Sequence, residues 1–497
     1  MAIEIKQHEG AKPIPLNETF DAVEWQENRS LFAKRIKIFP KRVKGFFRTT
    51  KWRFMWALLS IYYLLPWVRW DRGEVAPDQA VLFDIASRRF YFFDIEIWPQ
   101  EIIYLVGILA GAAMGLFFVT SLVGRVWCGM GCPQTVWTDF FMFVERRVEG
   151  DRNKRIKLDK APWTLKKIRL RTTKHFLWLL ISLLTGGAWA FYFMDAPTLA
   201  QGLLTLDAPM AAWVTVGLLT GMTYIMAGFA REQVCTYMCP YSRFQSAMMD
   251  KETWMISYRA DRGELRGKHK RGTSWKNRGH CVDCTQCVAV CPTGIDIRKG
   301  MQLECINCGL CADACDNVME RVGLPKGLIG FDCLSNVEHR AKGEEEKPFT
   351  LMRVRTVMYL FSLSVIATFL VTSFLARSDV GLNVIRDRNP VYVMLSNGDI
   401  RDGYTVKILN KSRVTKTYRL EITGLANPFM EETGHNTGFV RFLNLTVAPD
   451  EVEDYKIYVR QHAGDLPTSQ TDVAFRLLDE SGNEAVRAET HFIGPEK

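Results

Sequence analysis

Cysteine is absent from the C-terminal part of this sequence. The chain has 497 residues and 13 cysteines, and the last of them is Cys333. A domain in an oxidising compartment has either paired cysteines or none, whereas a reducing compartment keeps thiols available for metals. The absence excludes a thiolate metal site after Cys333, and it predicts that the cysteine-bearing part of the chain faces the cytoplasm.

Histidine is absent from the five longest apolar runs, and His175 only borders one of them. A haem route for electrons across a bilayer is therefore disfavoured, because haem iron commonly takes a histidine ligand. The sequence also has no G-x-G-x-x-G fingerprint. This second absence weighs against a built-in dinucleotide site.

Each apolar run has about twenty residues, the length of a helix that crosses a bilayer. The runs lie at residues 52–70, 102–124, 176–196, 210–230 and 354–376. The first is short and contains Arg53, while tryptophans and tyrosines gather near the ends of the first and third, as they do at membrane interfaces. The sequence predicts five transmembrane helices.

Basic residues are concentrated in every second one of the segments that flank these runs, and the formal net charge of the chain is +10. Lysine and arginine are frequent before the first run and after the second and fourth, whereas loop 197–209 has none. Positive-inside bias then places the N-terminus and residues 231–353 in the cytoplasm and the segment after residue 376 outside. A basic chain can also bind nucleic acid. Here the charge follows the loops, so we expect a lipid bilayer and no nucleic acid.

The tail changes character after Arg377. Its stretches "PVYVMLSNGDIRDGYTVKILNKS" and "TKTYRLEITGL" alternate apolar and polar residues, with Asn-Gly and Asp-Gly turn signals. Short alternating runs separated by turns predict an antiparallel β-sandwich. The tail has no evident catalytic constellation, so we expect a structural or interaction domain.

Two runs of four cysteines lie between the fourth and fifth apolar runs, "CVDCTQCVAVCP" and "CINCGLCADAC". Cys-x2-Cys-x2-Cys-x3-Cys, twice, is the ferredoxin pattern for two [4Fe–4S] clusters, in which the fourth cysteine of each run ligates the other cluster. Structural zinc more often uses two Cys-x-x-Cys pairs than runs of four. The predicted ligands of the first cluster are Cys281, Cys284, Cys287 and Cys315. Those of the second are Cys305, Cys308, Cys311 and Cys291.

Two further cysteine pairs end the second and fourth apolar runs. Cys128 and Cys132 lie in "WCGMGCPQ", and Cys235 and Cys239 lie in "VCTYMCPY". If each motif is helical, its two cysteines lie one turn apart on one face. Because these pairs belong to membrane ends and the ferredoxin cysteines to a soluble insert, we expect the two sets to be separate.

The matched motifs offer soft sulfur ligands, with Met130 and Met238 as candidate thioethers beside the thiols. Soft sulfur selects Cu(I), but it can also hold zinc or an iron–sulfur cluster. Cysteines that only pack in the membrane are the alternative. Arg125 precedes the first pair by three residues and Arg231 precedes the second by four, which indicates a repeated unit.

The complete arrangement resembles the CcoG family, also called FixG or RdxA, which are accessory proteins for assembling cbb3-type cytochrome c oxidase in bacteria. The paired Cys-x-x-x-Cys-Pro motifs, the two-cluster insert, five spans and a β-rich tail carry the resemblance over nearly the whole chain. It implies an inner-membrane protein that reduces Cu(II) to Cu(I), with two [4Fe–4S] clusters and copper as cofactors. It also implies an immunoglobulin-like periplasmic domain. Implied partners are the oxidase subunits or copper chaperones and transporters, and a cytoplasmic electron donor. A homo-oligomer stays open.

Three functions remain open at this point. The first is a cupric reductase whose reaction site is formed by the four membrane-end thiols. The second is a quinol-linked electron carrier that serves a periplasmic partner. The third is a non-catalytic scaffold for oxidase assembly.

The predicted order of domains follows the charge and hydropathy pattern. Residues 1–51 form a basic cytoplasmic segment, and residues 52–253 form a bundle of four transmembrane helices with both Cys-x-x-x-Cys-Pro motifs. Residues 254–353 are the ferredoxin-like domain, 354–376 the fifth helix and 377–497 the periplasmic β-sandwich.

Overall fold

The computed structural model describes residues 37–495 except 74–75, 270–274, 276–277, 303, 435–437 and 467. The chain divides into two compact units. The larger unit comprises the segment up to Val68 together with Gln79–Leu370, and the smaller comprises Arg69–Asp78 together with Val371–Lys497.

The larger unit is mainly helical. The α-helices among the described residues are, in chain order, α1 (Phe46–Leu64), α2 (Ile102–Val123), α3 (Val126–Met130), α4 (Pro133–Val148), α5 (Arg152–Lys160), α6 (Leu165–Ala190), α7 (Ala196–Thr205), α8 (Met210–Ile225), α9 (Pro240–Met248), α10 (Ala260–Gly263), α11 (Gln286–Val290), α12 (Leu310–Arg321), α13 (Leu334–Lys342) and α14 (Val354–Leu375), the last of which continues past Leu370 into the smaller unit. A three-stranded antiparallel sheet lies between α1 and α2, formed by β1 (Val81–Asp84), β2 (Arg89–Phe92) and β3 (Ile95–Ile97).

Within the described residues, three helices are long and apolar enough to cross a membrane: Pro99–Val123, Met210–Ala230 and Val354–Leu375. They correspond to the second, fourth and fifth predicted spans. The first and third predicted spans are also helical, as parts of α1 and α6. Both of these helices begin with several basic residues, which lower their mean hydropathy. Three spans therefore have support from length and composition, and the count of five stays a prediction.

The two Cys-x-x-x-Cys-Pro motifs have the same backbone plan. The helix α2 ends at Gly124, which has a positive φ of 58°, and a short helix then leads to Cys132 and into α4. In the second copy, α8 continues as a π-helix to Arg231, which has a φ of 44°, and a π-turn leads to Cys239 and into α9. The repeated unit indicated by the sequence is therefore present in the backbone.

The two cysteines of a pair do not lie on one continuous helix, so the shared face that a helical motif would provide is absent. Cys132 has φ −60° and ψ 129°, and Cys239 has φ −80° and ψ 110°, so both are extended. The reason is the following proline, whose ring disfavours helical backbone in the residue before it. Pro133 and Pro240 instead start the next helix at its first position, where a missing N–H costs nothing.

Two buried carboxylates of α4 bind cations from several helices. Asp139 accepts two hydrogen bonds of 2.9 Å from Arg48 of α1, and Lys51 and Arg146 lie within 3.9 Å of it. Burial alone would raise the pKa of Asp139, but Lys51, Arg48 and Arg146 outweigh it and hold that pKa below its ordinary value.

Glu145 is the second of these carboxylates. It lies 2.7 Å from Arg155 of α5, 2.7 Å from Arg231 and 3.9 Å from Lys174 of α6. Arg231, which precedes the second thiol pair, is therefore ion-paired with α4, the helix that follows the first pair.

The ferredoxin-like segment folds around its own small core. Strands β4 (Met255–Tyr258) and β5 (Ile329–Asp332) pair antiparallel, and Ile256, Met319 and Leu328 are each 1% exposed. The segment docks on α1 through Asp313, whose carboxylate accepts the backbone N–H groups of Phe47 and Arg48 at 3.1 and 2.7 Å. Free N–H groups at a helix start favour such an anion.

The smaller unit contains a β-sandwich, as the alternating sequence predicts. Its strands are β6 (Val380–Arg386), β7 (Val393–Met394), β8 (Asp399–Asn410), β9 (Lys416–Thr423), β10 (Phe429–Glu432), β11 (Phe442–Val447), β12 (Glu451–His462), β13 (Gln470–Leu478) and β14 (Glu484–Ile493). One sheet has the order β10-β12-β8-β6 with β7 beside β8, and the other has the order β11-β9-β13-β14. Tyr404, Phe475 and Phe492 are completely buried between them.

We predict that Asp139→Asn lowers the free energy of unfolding by about 3–5 kcal/mol, because it leaves buried cations without their counter-ion. Thermal unfolding in detergent measures the change. Since the pKa of Asp139 is lowered on folding, its contribution is present above the unfolded pKa and is lost as pH falls through the folded value. Exposed Asp207→Asn is the control, and equal melting temperatures of the two variants would contradict the prediction.

Candidate metal centre

The four thiols of the Cys-x-x-x-Cys-Pro motifs lie at the ends of α2 and α8. Cys128 is in α3 and is 7% exposed, whereas Cys132 directly precedes α4. Cys235 is in the π-turn Val234–Met238, and Cys239 directly precedes α9. Each motif therefore presents one cysteine from a tight turn and one from the start of a helix.

The thiols of the two motifs lie near enough for their charges to influence one another. Burial raises the pKa of Cys235 to about 12, and the next contributions come from Cys132 and Cys128. Burial likewise raises the pKa of Cys128, where Arg125 opposes the shift and Cys132 and Cys239 add to it. The pKa values of Cys128 and Cys235 are thus each influenced by the charge of a cysteine in the other pair.

A buried polar network holds Cys128 in position. Gln245 is completely buried, and its side-chain oxygen accepts a hydrogen bond from Arg125 Nε at 3.0 Å and one from Cys128 Sγ at 3.2 Å. Its amide nitrogen donates to Thr120 Oγ1 at 3.4 Å. The sequence singled out Arg125 by its position before the first pair, but no signal pointed to Gln245, which lies on a different helix.

The cysteines assigned to the second cluster line a common cavity. Its wall includes Cys305, Cys308, Cys311 and Cys291, with Cys287 and several isoleucines beside them. Burial is the main cause that raises the pKa of Cys305 to about 12, and the charge of Cys308 is the second cause. Neutral thiols in such a site release their protons when they bind a metal.

The other four ferredoxin cysteines also converge. Burial raises the pKa of Cys315 to about 12, and the charges of Cys287, Cys281 and Cys284 raise it further. This set combines the last cysteine of the second run with the first three of the first run, as the ferredoxin pattern requires. Cys284 is exposed, whereas Cys281 and Cys287 are buried.

The first thiol motif packs directly on the second ferredoxin run. A Cβ atom at Gly129 would lie 2.5 Å from the Ile306 carbonyl oxygen and 2.9 Å from Cys308 Cα. Cys128 and Cys308 share one buried cluster with Val290 and Ile306. The first thiol motif therefore lies in contact with the ferredoxin cysteines, because the ferredoxin-like segment folds back onto the end of α2, and that the two cysteine sets bind their metals separately stays a prediction.

Hydrogen bonds fix this contact from the ferredoxin side. Asn307 is 2% exposed, and its amide donates to the Val123 carbonyl at the end of α2 at 2.8 Å. Its oxygen accepts the backbone N–H of Ile256 at 2.6 Å. Thr253 Oγ1 also donates to the Ser121 carbonyl at 2.9 Å.

Three further sulfur-containing side chains of interest are the two candidate thioethers, Met130 and Met238, and Cys333. Met238 is 59% exposed, and Met130 is half-buried. Cys333 is a buried free cysteine immediately before α13, outside both cysteine runs.

The ferredoxin cysteines suit [4Fe–4S] clusters. Four thiols surround one cavity with an apolar wall, and the second set of four has the matching composition. Within the part of the chain that the structure describes, no three His, Cys, Asp or Glu side chains are arranged to hold a single metal ion, and this holds for the four membrane-end thiols as well as for the ferredoxin cysteines. A cubane cluster binds one thiolate per iron at separate corners, so its ligands are spaced more widely than those of a single ion.

Comparison with known proteins identifies the same parts. A family model described as "4Fe-4S dicluster domain" matches residues 230–334, and one for the IG-like fold at the C-terminus of FixG matches residues 370–495. The chain is therefore a membrane protein with an iron–sulfur electron-transfer domain and an immunoglobulin-like domain.

Curated relatives resemble nearly the whole chain. It is 47% identical to the nitrogen fixation protein FixG of Rhizobium meliloti, over 91% of this chain and 92% of that one. It is also 47% identical to the protein RdxA of Cereibacter sphaeroides, over 93% and 98% of the two chains. The chain belongs to the FixG/RdxA family. The crystal structure of a FixG-related protein from Vibrio parahaemolyticus is 25% identical, with a TM-score of 0.20, and covers 24% of this chain and 97% of that one.

We predict that Gly129→Ala destabilises the contact between the two motifs by about 1–3 kcal/mol, because the added methyl group meets backbone atoms that must shift. Thermal unfolding, together with the EPR spectrum of the reduced protein, measures the effect. Gly115→Ala is the matched control, since a Cβ there meets no atom within 4 Å. Equal stability and identical spectra for the two variants would contradict the predicted contact.

Proposed function

We propose that this protein reduces Cu(II) to Cu(I) at the thiols Cys128, Cys132, Cys235 and Cys239. The two [4Fe–4S] clusters, one held by Cys281, Cys284, Cys287 and Cys315 and the other by Cys305, Cys308, Cys311 and Cys291, supply single electrons when bound. One electron converts each Cu(II) substrate ion to Cu(I). The observation that carries the proposal is the close approach of Gly129 to the Ile306–Cys308 backbone, beside the buried cluster that Cys128 shares with Cys308.

The membrane-end thiols have the chemistry that the reaction needs. Soft thiolates favour Cu(I) over Cu(II) and so make the reduction of a bound ion more favourable. Cys128 and Cys235 are held protonated by burial, and copper displaces their protons on binding. Cys132 and Cys239 each directly precede the N-terminus of a helix, α4 and α9 respectively.

Arg125 positions this site electrostatically. It is 4% exposed, and its guanidinium lowers the pKa of both Cys128 and Cys235 against the larger opposing effect of burial. It also lowers the pKa of Cys305, so one buried cation serves both cysteine sets. The side-chain oxygen of Gln245 accepts hydrogen bonds from both this guanidinium and the Cys128 thiol.

The biological setting of the proposal follows from the family and the charge pattern. We place the ferredoxin-like domain in the cytoplasm and the β-sandwich in the periplasm, on the positive-inside bias of the loops. The Cu(I) product then serves maturation of a cbb3-type cytochrome c oxidase through oxidase subunits or copper carriers.

We predict that Cys235→Ser combined with Cys239→Ser weakens Cu(I) binding at least about tenfold and slows Cu(II) reduction, because half of the soft ligands are removed. Competition with a chromogenic Cu(I) chelator measures the affinity, and anaerobic assays measure the reduction. We expect about eight irons per chain in the variant and in the wild type, since two [4Fe–4S] clusters have their own eight ligands.

Cys333→Ser is the control, because it also removes a buried thiol but lies outside both motifs. Unchanged copper binding and reduction in the double variant would overturn the copper site. Loss of about four irons would instead show that the membrane-end thiols hold a further cluster. Replacement of Cys128 is less diagnostic, because that residue packs against Cys308.

A further inference from the structure

The two ferredoxin cysteine sets differ in their access to solvent. Cys284 is exposed, and it is the one exposed residue among the eight ferredoxin cysteines, all of which the structure describes. In the second cysteine set, Cys308 is only 7% exposed, and its backbone lies against Gly129 of the first membrane-end motif. An external electron donor therefore reaches the domain most closely beside Cys284.

A strongly basic segment borders this exposed cysteine run. Residues 266–278 contain six lysines and arginines and no aspartate or glutamate. Gly267 N donates to the Cys281 carbonyl at 3.0 Å, and Gly279 N donates to the Leu265 carbonyl at 3.1 Å. The first of these bonds places Gly267 beside the first cysteine of the run, and the second pairs Gly279 with Leu265.

The described basic residues at this edge face solvent. Arg266, Lys268 and Arg278 are exposed, and Arg278 Nη2 donates to the Lys268 carbonyl at 2.9 Å. We call these three residues the basic rim. Lys41 adds a further exposed cation nearby, since its Nζ donates to the Gln286 side chain at 2.8 Å.

Acidic groups near Cys284 offset this charge only in part, since Asp283 and Asp296 share Arg298, and Glu264 pairs with Arg266 of the rim and leaves Lys268, Arg278 and Lys41. Asp283 forms an ion pair with Arg298, and Asp296 lies 2.7 Å from the same arginine. Glu264 accepts a hydrogen bond from Tyr258 at 3.0 Å and lies 3.7 Å from Arg266. The surface beside Cys284 thus keeps a positive field.

We propose that the basic rim is the docking surface for an acidic one-electron carrier protein, which delivers its electron at the Cys284 edge. Opposite charge on two protein surfaces steers their encounter and fixes their orientation. One electron leaves the reduced carrier and enters the group held by Cys281, Cys284, Cys287 and Cys315. The inference names the donor class and rests on the proposed function only for the later destination of that electron.

The test uses the full-length protein in detergent, without copper, and a small acidic plant-type [2Fe–2S] ferredoxin as the probe. Lys268→Glu combined with Arg278→Glu reverses two charges of the rim. Lys154→Glu combined with Lys160→Glu is the control, because it makes the same charge change at exposed positions of α5, which has no cysteine. Bio-layer interferometry measures binding of the probe, and stopped-flow absorbance measures electron transfer from the reduced probe.

We expect the rim variant to bind the probe at least about tenfold more weakly and to accept its electrons correspondingly more slowly than the control variant. Salt of about 0.3 M should weaken wild-type binding similarly, since screening shortens the reach of surface charges. Reduction by dithionite should be the same in both variants, which shows that the iron–sulfur domain is intact.

Equal binding and equal rates in the two variants would overturn the docking surface. The docking surface is also overturned if the rim variant loses binding to phosphatidylglycerol vesicles while it retains binding to the ferredoxin, because the rim would then be a membrane contact. Failure of the copper site leaves this test unchanged, since no copper is present in it.

Discussion

The approach of two backbones at Gly129 is the constraint on which the candidate site depends. A side chain at this position would meet the Ile306 carbonyl at 2.5 Å, so only glycine lets the turn before Cys132 lie against the second ferredoxin run. Asn307 and Thr253 bond the same region to the end of α2. The consequence is that the iron–sulfur domain packs directly against the first of the two membrane-end thiol motifs.

Buried charge supports this arrangement around its edge. Asp139 and Glu145 on α4 bind cations from α1, α5 and α6 and from Arg231, which precedes the second thiol pair. Ion pairs of this kind add little net stability over apolar packing, but they are costly to break singly. They define which helix turns lie beside each other, and so they fix how the two thiol motifs face one another.

The parts of the site that spacing encodes were predictable from the sequence, and the parts that depend on tertiary contacts were not. The crossed grouping of Cys291 and Cys315 follows from the ferredoxin spacing, and the sandwich follows from alternation. The thiol pairs do not share one helix, because Pro133 and Pro240 disfavour helical backbone at Cys132 and Cys239. Gln245 and the Gly129 contact left no local signal, since their partners are distant in the sequence.

The central claim is that electrons held in the ferredoxin-like domain reduce copper bound at the membrane-end thiols. Rapid freezing of the anaerobically reduced protein after mixing with one equivalent of Cu(II), followed by EPR, tests it most directly. The account predicts that the Cu(II) signal disappears together with an equal number of reduced iron–sulfur spins, and that this loss is slower in Gly129→Ala than in Gly115→Ala. Persistence of the Cu(II) signal, or its loss without any change in the iron–sulfur signal, would contradict the account.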